Sequence, residues 1–299
     1  MDDGRIVGID VGGTKILAVA VDREDPSHVL ARHSTSTPES VEEFLDALVT
    51  SARLVGVTDR LGLGLPGLVD GDGVLRAAPH LGFLVDVRFG DRVAGALGVG
   101  GVAIDNDANC ALRAELAFGV ARSSGDVVLV TLGTGIGGAI AVDGVVRTGA
   151  HGFAGEPGHM LVDPFGPACP CGRRGCWERY ASGTGLVDLA AAAGLRVADG
   201  EAVIALARSG DTVAIEIVDR FAWWVGAGLA SLADILDPGL FVIGGGLSAD
   251  ADLWIDSVRS TLTTETLGGR SRSVPVEVAR AGPEAGAIGA ALLAVERQP

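Results

Sequence analysis

The feature that most restricts this chain is a pair of apolar runs joined by a glycine turn, and it occurs twice. Residues 6–10 and 16–22 flank Val11-Gly-Gly-Thr-Lys15, and residues 127–132 and 139–142 flank Gly133-Thr-Gly-Ile-Gly-Gly138. Two short apolar runs around such a turn make a β-hairpin, because glycine supplies the backbone angles of the bend without steric cost. After the first hairpin come an extended segment over 29–35 and helical spacing over 41–54, with Ser40 as its N-cap. A strand at 60–65, a helix at 93–97, a strand at 102–105 and a helix at 108–119, ended by Gly119, complete that part. After the second hairpin, residues 150–175 are irregular. Helices are expected at 185–193, 202–207 and 212–236, a strand at 240–243, a helix at 251–263, a strand at 274–280 and a last helix at 284–296. Helices alternating with strands define the α/β class, and the repeated hairpin suggests an internal duplication.

Composition removes several functions. Of 299 residues, 48% are hydrophobic, enough for a packed core, and the 46 glycines follow no collagen period. Twenty-three basic against 38 acidic residues give −15, which repels nucleic-acid phosphates, so no nucleic-acid partner is expected. The longest uncharged stretch, 127–142, is shorter than a bilayer span of about 20 residues and is broken by glycines. The first residues, MDDGR, carry acids where a secretory signal is basic. A cytoplasmic protein without membrane contact is therefore expected.

Three glycine turns can face phosphate. In Asp10-Val-Gly-Gly-Thr-Lys15, Gly8 and Gly13 have P-loop separation, but Thr14 stands where the lysine belongs and a strand follows, so the Walker reading fails. Residues 62–67 and 133–138 both fit G-x-G-x-x-G by letter. Neither is followed by the helix that a dinucleotide fingerprint needs. What remains is two hairpin bends whose N–H groups can converge on phosphate oxygens. Thr14 and Thr134 add hydroxyls, Lys15 (the sole lysine) a charge, and Asp10 a carboxylate suited to Mg²⁺. A third turn, Gly244-Gly245-Gly246, follows a strand. Ordinary hairpins are the plain alternative.

Glu156-Pro-Gly-His159 precedes Cys169-Pro-Cys171-Gly-Arg-Arg-Gly-Cys176-Trp-Glu178. One imidazole and three thiols form the donor set of a closed tetrahedral zinc site, and four protein ligands leave no open position for catalysis. The fourth cysteine, Cys110, lies in an apolar helix and reads as core. Asp105-Asn106-Asp107 joins a strand to a helix. Asp107 is an N-cap on the bland reading and a general base on the sharp one.

These motifs together resemble the ROK family of bacterial sugar kinases and sugar-responsive repressors, most closely its glucokinase branch, over essentially the whole chain. The resemblance implies a two-lobed actin/hexokinase-like (ribonuclease H-like) ATPase fold with a cleft between lobes. The small lobe would comprise 1–107 plus about 283–299, and the large lobe 108–282 with the zinc loop. It implies MgATP held by Gly12, Gly13, Thr14, Lys15, Thr134 and Gly135, with Gly244, Gly245 and Gly246 near the adenosine. Asp10 would bind magnesium, directly or through water. Sugar would meet Gly67, Asn106, Asp107, Glu156, His159 and Glu178. Asp107 would be the base for the 6-hydroxyl, and His159 would also ligate zinc with Cys169, Cys171 and Cys176. Glucose is the expected substrate, and a homodimer or homotetramer is expected.

Several departures and rivals go with the resemblance. The branch's Ala-Pro-Asn-Leu followed by Trp reads here Ala78-Pro79-His80-Leu81 and then Phe83, which bears on which hexose is taken. Another hexose or an N-acetylhexosamine (N-acetylmannosamine, N-acetylglucosamine, mannose, fructose) is the alternative substrate class. A repressor would carry a DNA-binding segment before the first turn. Nine residues precede Asp10 and the charge is −15, so a kinase is expected over a sensor. No basic track for polyphosphate is evident, which leaves ATP as donor.

Overall fold

The computed structural model describes residues 4–78 and 81–296. In chain order the elements are β1 (Arg5–Val11), β2 (Lys15–Asp22), β3 (Val29–Ser36), α1 (Val41–Val55), β4 (Arg60–Leu65), β5 (Leu68–Val69), β6 (Leu75–Ala77), α2 (Gly90–Leu97), β7 (Gly101–Asn106) and α3 (Asp107–Ala117). There follow β8 (Val127–Leu132), β9 (Ile136–Val142), β10 (Val145–Val146), α4 (Gly183–Ala192), α5 (Gly200–Arg208), α6 (Thr212–Leu236), β11 (Leu240–Gly244), α7 (Ile255–Glu265), β12 (Val276–Val278) and α8 (Ala285–Glu296).

The two five-stranded sheets have the same plan. One runs β3-β2-β1-β4-β7 and the other β10-β9-β8-β11-β12. In each, the two strands of the glycine hairpin are neighbours, and two further strands add in parallel on one side of it. The repeat expected from the two hairpins is thus a repeat of topology. The residues up to Ser123, Ile140–Gly155 and the residues from Arg280 onward form one compact unit. Ser124–Ala139 and Glu156–Ala279 form the other.

This division differs from a boundary at 107. Helix α3 belongs to the first unit because it packs on α8, with Gly289 so close that a Cβ there would stand 1.7 Å from the Cys110 carbonyl oxygen. Buried Glu115 adds a second tie. Its Oε1 accepts the N–H groups of Arg280 and Ala281 at 2.8 and 2.7 Å, and its Oε2 accepts that of Val120 at 2.9 Å. Strands β1 and β4 meet α8 backbone to backbone. A Cβ on Gly62 would lie 1.7 Å from the Ala290 carbonyl oxygen, and one on Gly8 2.1 Å from that of Ala287. Gly8 is therefore a packing residue, in keeping with the failed Walker reading.

Ser40 caps α1 as expected. Its hydroxyl accepts from the Glu43 N–H and donates to the Glu43 carboxylate. Other boundaries moved. Helix α3 ends at Ala117 with Phe118 as its C-cap, and Gly119 instead leaves room for the folded-back Glu115. Residues expected as one helix over 251–263 form a 3₁₀ segment, Gly246–Leu253, and then α7. Past Pro66 stands a small β5–β6 hairpin. Phe83 packs edge-to-face on Phe44 at 5.9 Å, in the first unit's core. Pro79 and His80 lie outside the described residues. No helix among the described residues is long and apolar enough to cross a membrane.

Candidate active site

In the first unit, β1, β4 and β7 are parallel, and their register sets Asp10 beside Gly64 and Gly64 beside Asp105. The chemistry-bearing residues therefore gather at the carboxyl ends of parallel strands, the place where open α/β sheets take ligands. Gly12 donates its N–H to the Lys15 carbonyl at 2.8 Å, closing the bend, and the Thr37 hydroxyl holds the Gly12 carbonyl at 2.7 Å. Gly13, Thr14 and Lys15 are exposed at its tip. Behind it, Gly286 in the first turn of α8 approaches Asp10 so closely that a Cβ would be 2.8 Å from the Asp10 carboxyl carbon. Burial and the nearby Asp107 raise the Asp10 pKa to about 7, against the pull of Lys15.

At the β7–α3 junction the N-cap is Asn106, one residue before the position expected. Its Oδ1 accepts the N–H groups of Ala108 and Asn109 at 2.8 and 3.2 Å, and its Nδ2 donates to the Gly67 carbonyl at 3.0 Å. With Oδ1 occupied, only Nδ2 of this amide remains to serve a ligand. Asp107 is the first helical residue, at the positive end of α3. Burial raises its pKa to about 6, while the Ala108 N–H and the Asn106 amide hold it back. Asp105 is buried. It accepts from the Asn106 N–H at 2.8 Å and from Asn109 Nδ2 at 2.9 Å, and faces Arg113 at 2.9 Å.

In the second unit, the Gly133-Thr134-Gly135 bend leans on the start of α4. The Gly133 carbonyl accepts from the Gly183 N–H at 2.8 Å, and the Thr134 carbonyl from the Thr184 hydroxyl at 2.7 Å. The third turn comes alongside. Gly244 pairs with Thr131 across β11 and β8, and Gly245, at φ 83°, approaches the Leu132 backbone where a Cβ would be 2.4 Å from its carbonyl oxygen. Gly246 opens the 3₁₀ segment that follows. The second and third turns are thus one neighbourhood. Neither 62–67 nor 133–138 opens a helix, because β4 and β9 occupy the ground a fingerprint helix would need.

The cysteine loop brings together four side chains that could hold a metal ion. One ligand atom from each of His159, Cys169, Cys171 and Cys176 lies within 4.8 Å of all the others. His159 turns Nδ1 toward the cluster, 3.9 Å from Cys169 Sγ, and Cys171 and Cys176 sulfurs are 3.6 Å apart. Short bridges, Leu161 with Cys176 and Ala168 with Arg174, close the loop. The soft donor set and its spacing fit zinc. Glu178 borders the cluster, with Oε1 3.0 Å from Cys169 Sγ and 3.5 Å from His159 Nδ1. Its backbone is held by the buried Ser182 hydroxyl, which donates to the Glu178 carbonyl at 2.6 Å and accepts from the Gly185 N–H as N-cap of α4. Glu156 precedes the 3₁₀ turn Pro157–His159, and its carbonyl accepts the His159 N–H at 3.2 Å.

Sequence reasoning missed Asp105, Arg113, Glu115 and Ser182. The available signal was charge at the wrong spacing. Arg113 and Glu115 fall on the inward face of α3 among Ala108, Cys110, Leu112 and Ala114, where an unpaired charge would be costly.

Two α/β sheets of identical plan, each with a glycine hairpin at its ligand-facing end, define the actin/hexokinase-like class of nucleotide-binding folds. The chain belongs to the ROK family, whose pattern matches residues 6–297. It is 37% identical to a glucokinase of Streptomyces coelicolor over 99% of both chains. It is 35% identical to an N-acetylmannosamine kinase of Citrobacter koseri over 96% of this chain and 98% of that one. A ROK family glucokinase of Streptomyces griseus, solved with glucose and AMPPNP, superposes with a TM-score of 0.85 at 35% identity, over 98% of this chain and 100% of that one.

Proposed function

We propose that this protein transfers the γ-phosphoryl group of ATP to the 6-hydroxyl of a hexose, glucose first. The observation that carries the reading is Asp107, a half-buried carboxylate at the head of α3, beside Asp10, whose pKa of about 6 leaves it ionised at neutral pH yet basic enough to take a hydroxyl proton. Whole-length similarity to a glucokinase supports the substrate class.

In this reading Asp107 accepts the proton of the 6-hydroxyl, the oxygen attacks the γ-phosphorus in line, and ADP leaves. Gly12, Gly13, Thr14, Lys15, Thr134 and Gly135 hold the phosphates, and Gly244–Gly246 border the adenosine. Gly67 and Asn106, with Glu156, His159 and Glu178, orient the sugar. Asp10, whose ionised form is penalised by burial beside Asp107, suits a divalent cation, and magnesium there would neutralise phosphate charge. Zinc on His159, Cys169, Cys171 and Cys176 would cross-link the loop that carries Glu156 and Glu178. Exposed Trp223 and Ile235 on α6 support assembly as a homodimer or homotetramer, which sedimentation would test.

An N-acetylhexosamine is the second reading, favoured by the 35% identity to an N-acetylmannosamine kinase. A Mg-ATP phosphotransfer assay over hexoses and N-acetylhexosamines, with Asp107→Asn beside it, decides between them. Fast turnover with glucose that the variant loses supports the first reading. Preference for an acetylated sugar supports the second. Near-normal turnover in Asp107→Asn removes Asp107 as base.

A further inference from the structure

Buried charge is concentrated behind Asp107. Asp105 and Arg113 are both buried, with Arg113 Nη1 2.9 Å from Asp105 Oδ2, a pair held by charge and proximity more than by a well-aligned hydrogen bond. Asp105 Oδ1 accepts from the Asn106 N–H at 2.8 Å and from Asn109 Nδ2 at 2.9 Å, so its two bonds straddle Asp107 in sequence. Arg113 Nε donates to Glu296 at the far end of α8, at 2.9 Å. The first turn of that same helix carries Gly286 against Asp10. Through Asp105, one arginine thus ties the Asn106 backbone and the Asn109 side chain, which lie on either side of Asp107, to the helix that backs Asp10.

We propose that Asp105 and Arg113 act as one positioning unit for Asp107, with Arg113 fixing the rotation of the Asp105 carboxylate so that its other oxygen holds the β7–α3 junction in its productive setting. The inference rests on the reading of Asp107 as base. Stability alone is a poor account of the pair, because a buried ion pair exchanged for neutral groups of similar size is often neutral or stabilising. Position is a better account, because small displacements of a reacting group cost rate steeply.

The test is the double variant Asp105→Asn with Arg113→Leu, which removes both charges together and keeps an acceptor at position 105. Thermal unfolding, sugar binding by calorimetry, and kcat and KM would be measured beside Asp107→Asn. We expect a folded protein with wild-type sugar affinity and KM, and kcat about tenfold lower. A folded double variant with wild-type kcat overturns the proposal and leaves the pair a purely structural contact. Should the double variant not fold, Arg113→Lys decides. It keeps the charge but cannot bridge Asp105 and Glu296 with a rigid fork. Reduced kcat at unchanged KM supports the positioning role, and wild-type kcat overturns it. Retained turnover in Asp107→Asn would instead strike the base assignment, so the two failures are distinguishable.

Discussion

The carboxylate of Glu178 lies directly against Gly135, where a Cβ would stand 2.7 Å from Oε2. The other oxygen of the same carboxylate borders Cys169 and His159. One side chain thus touches the second glycine turn and the cysteine loop at once, which the distance between positions 135 and 178 in the chain does not suggest. Gly135→Ala should displace the tip of Glu178 at small cost in stability, because the colliding atom ends a flexible side chain. The expected result is an unchanged melting temperature with sugar kcat/KM down about tenfold. Wild-type kinetics in this variant would mean that Glu178 does not need its observed position.

The raised carboxyl pKa values set a pH dependence. Asp107 must be ionised to act as base, so kcat/KM should fall as pH drops through about 6 and level off above about 7. Stability runs the other way. Both carboxyls bind protons more tightly in the native chain than at the ordinary value of 3.8, so their contribution is full below that value and is lost as pH rises through 6 to 7. Asp107→Asn should therefore be inactive yet more stable than wild type at pH 8, by about 2 kcal/mol. Denaturant melts of the two proteins at pH 5 and pH 8 check the sign.

The cysteine loop should be metal-dependent. Elemental analysis is expected to find one zinc per chain, which Cys171→Ser weakens and Cys176→Ser abolishes, since Cys176 is buried and Cys171 exposed. Chelation should lower the melting temperature by at least about 5 °C and open the 160–178 loop to protease. An unchanged melt after verified metal removal would make the four side chains a cluster of reduced thiols and nothing more.

Glu115 makes a stability prediction separate from chemistry. Glu115→Ala leaves the N–H groups of Val120, Arg280 and Ala281 without their acceptor and should cost about 3 kcal/mol. Glu115→Gln keeps one carbonyl oxygen and should cost less. Equal melts for wild type and Glu115→Ala would show that water replaces the carboxylate freely.

Much of the site was legible because its signals are local. Glycine spacing marks a bend, a Cys-x-Cys with a nearby cysteine and histidine marks a donor set, and Asn-Asp at a strand-to-helix step marks a helix start. The sequence points to Asp107 as the cap, one residue past Asn106, because Asp and Asn cap almost equally well. Only the backbone decides which of them sits outside the helix. The end of α3 was misread for a related reason. Gly119 is there to clear the Glu115 side chain, a contact made by the fold and not a left-handed helix stop.

The sequence by itself determined the α/β class, the two hairpins, the cysteine ligand set and the position of Asp107 at a strand-to-helix junction, since each depends on residues close together in the chain. Tertiary structure decided the rest. Asp107 raises the cost of ionising Asp10 only because parallel strand pairing brings β1, β4 and β7 side by side. Arg113 and Glu115 find acceptor and donor partners more than a hundred residues away, at Glu296 and at Arg280 and Ala281. Burial is what gives such pairs their energy, and burial belongs to the packed chain, where α8 lies on Gly8 and Gly62 and shuts water out.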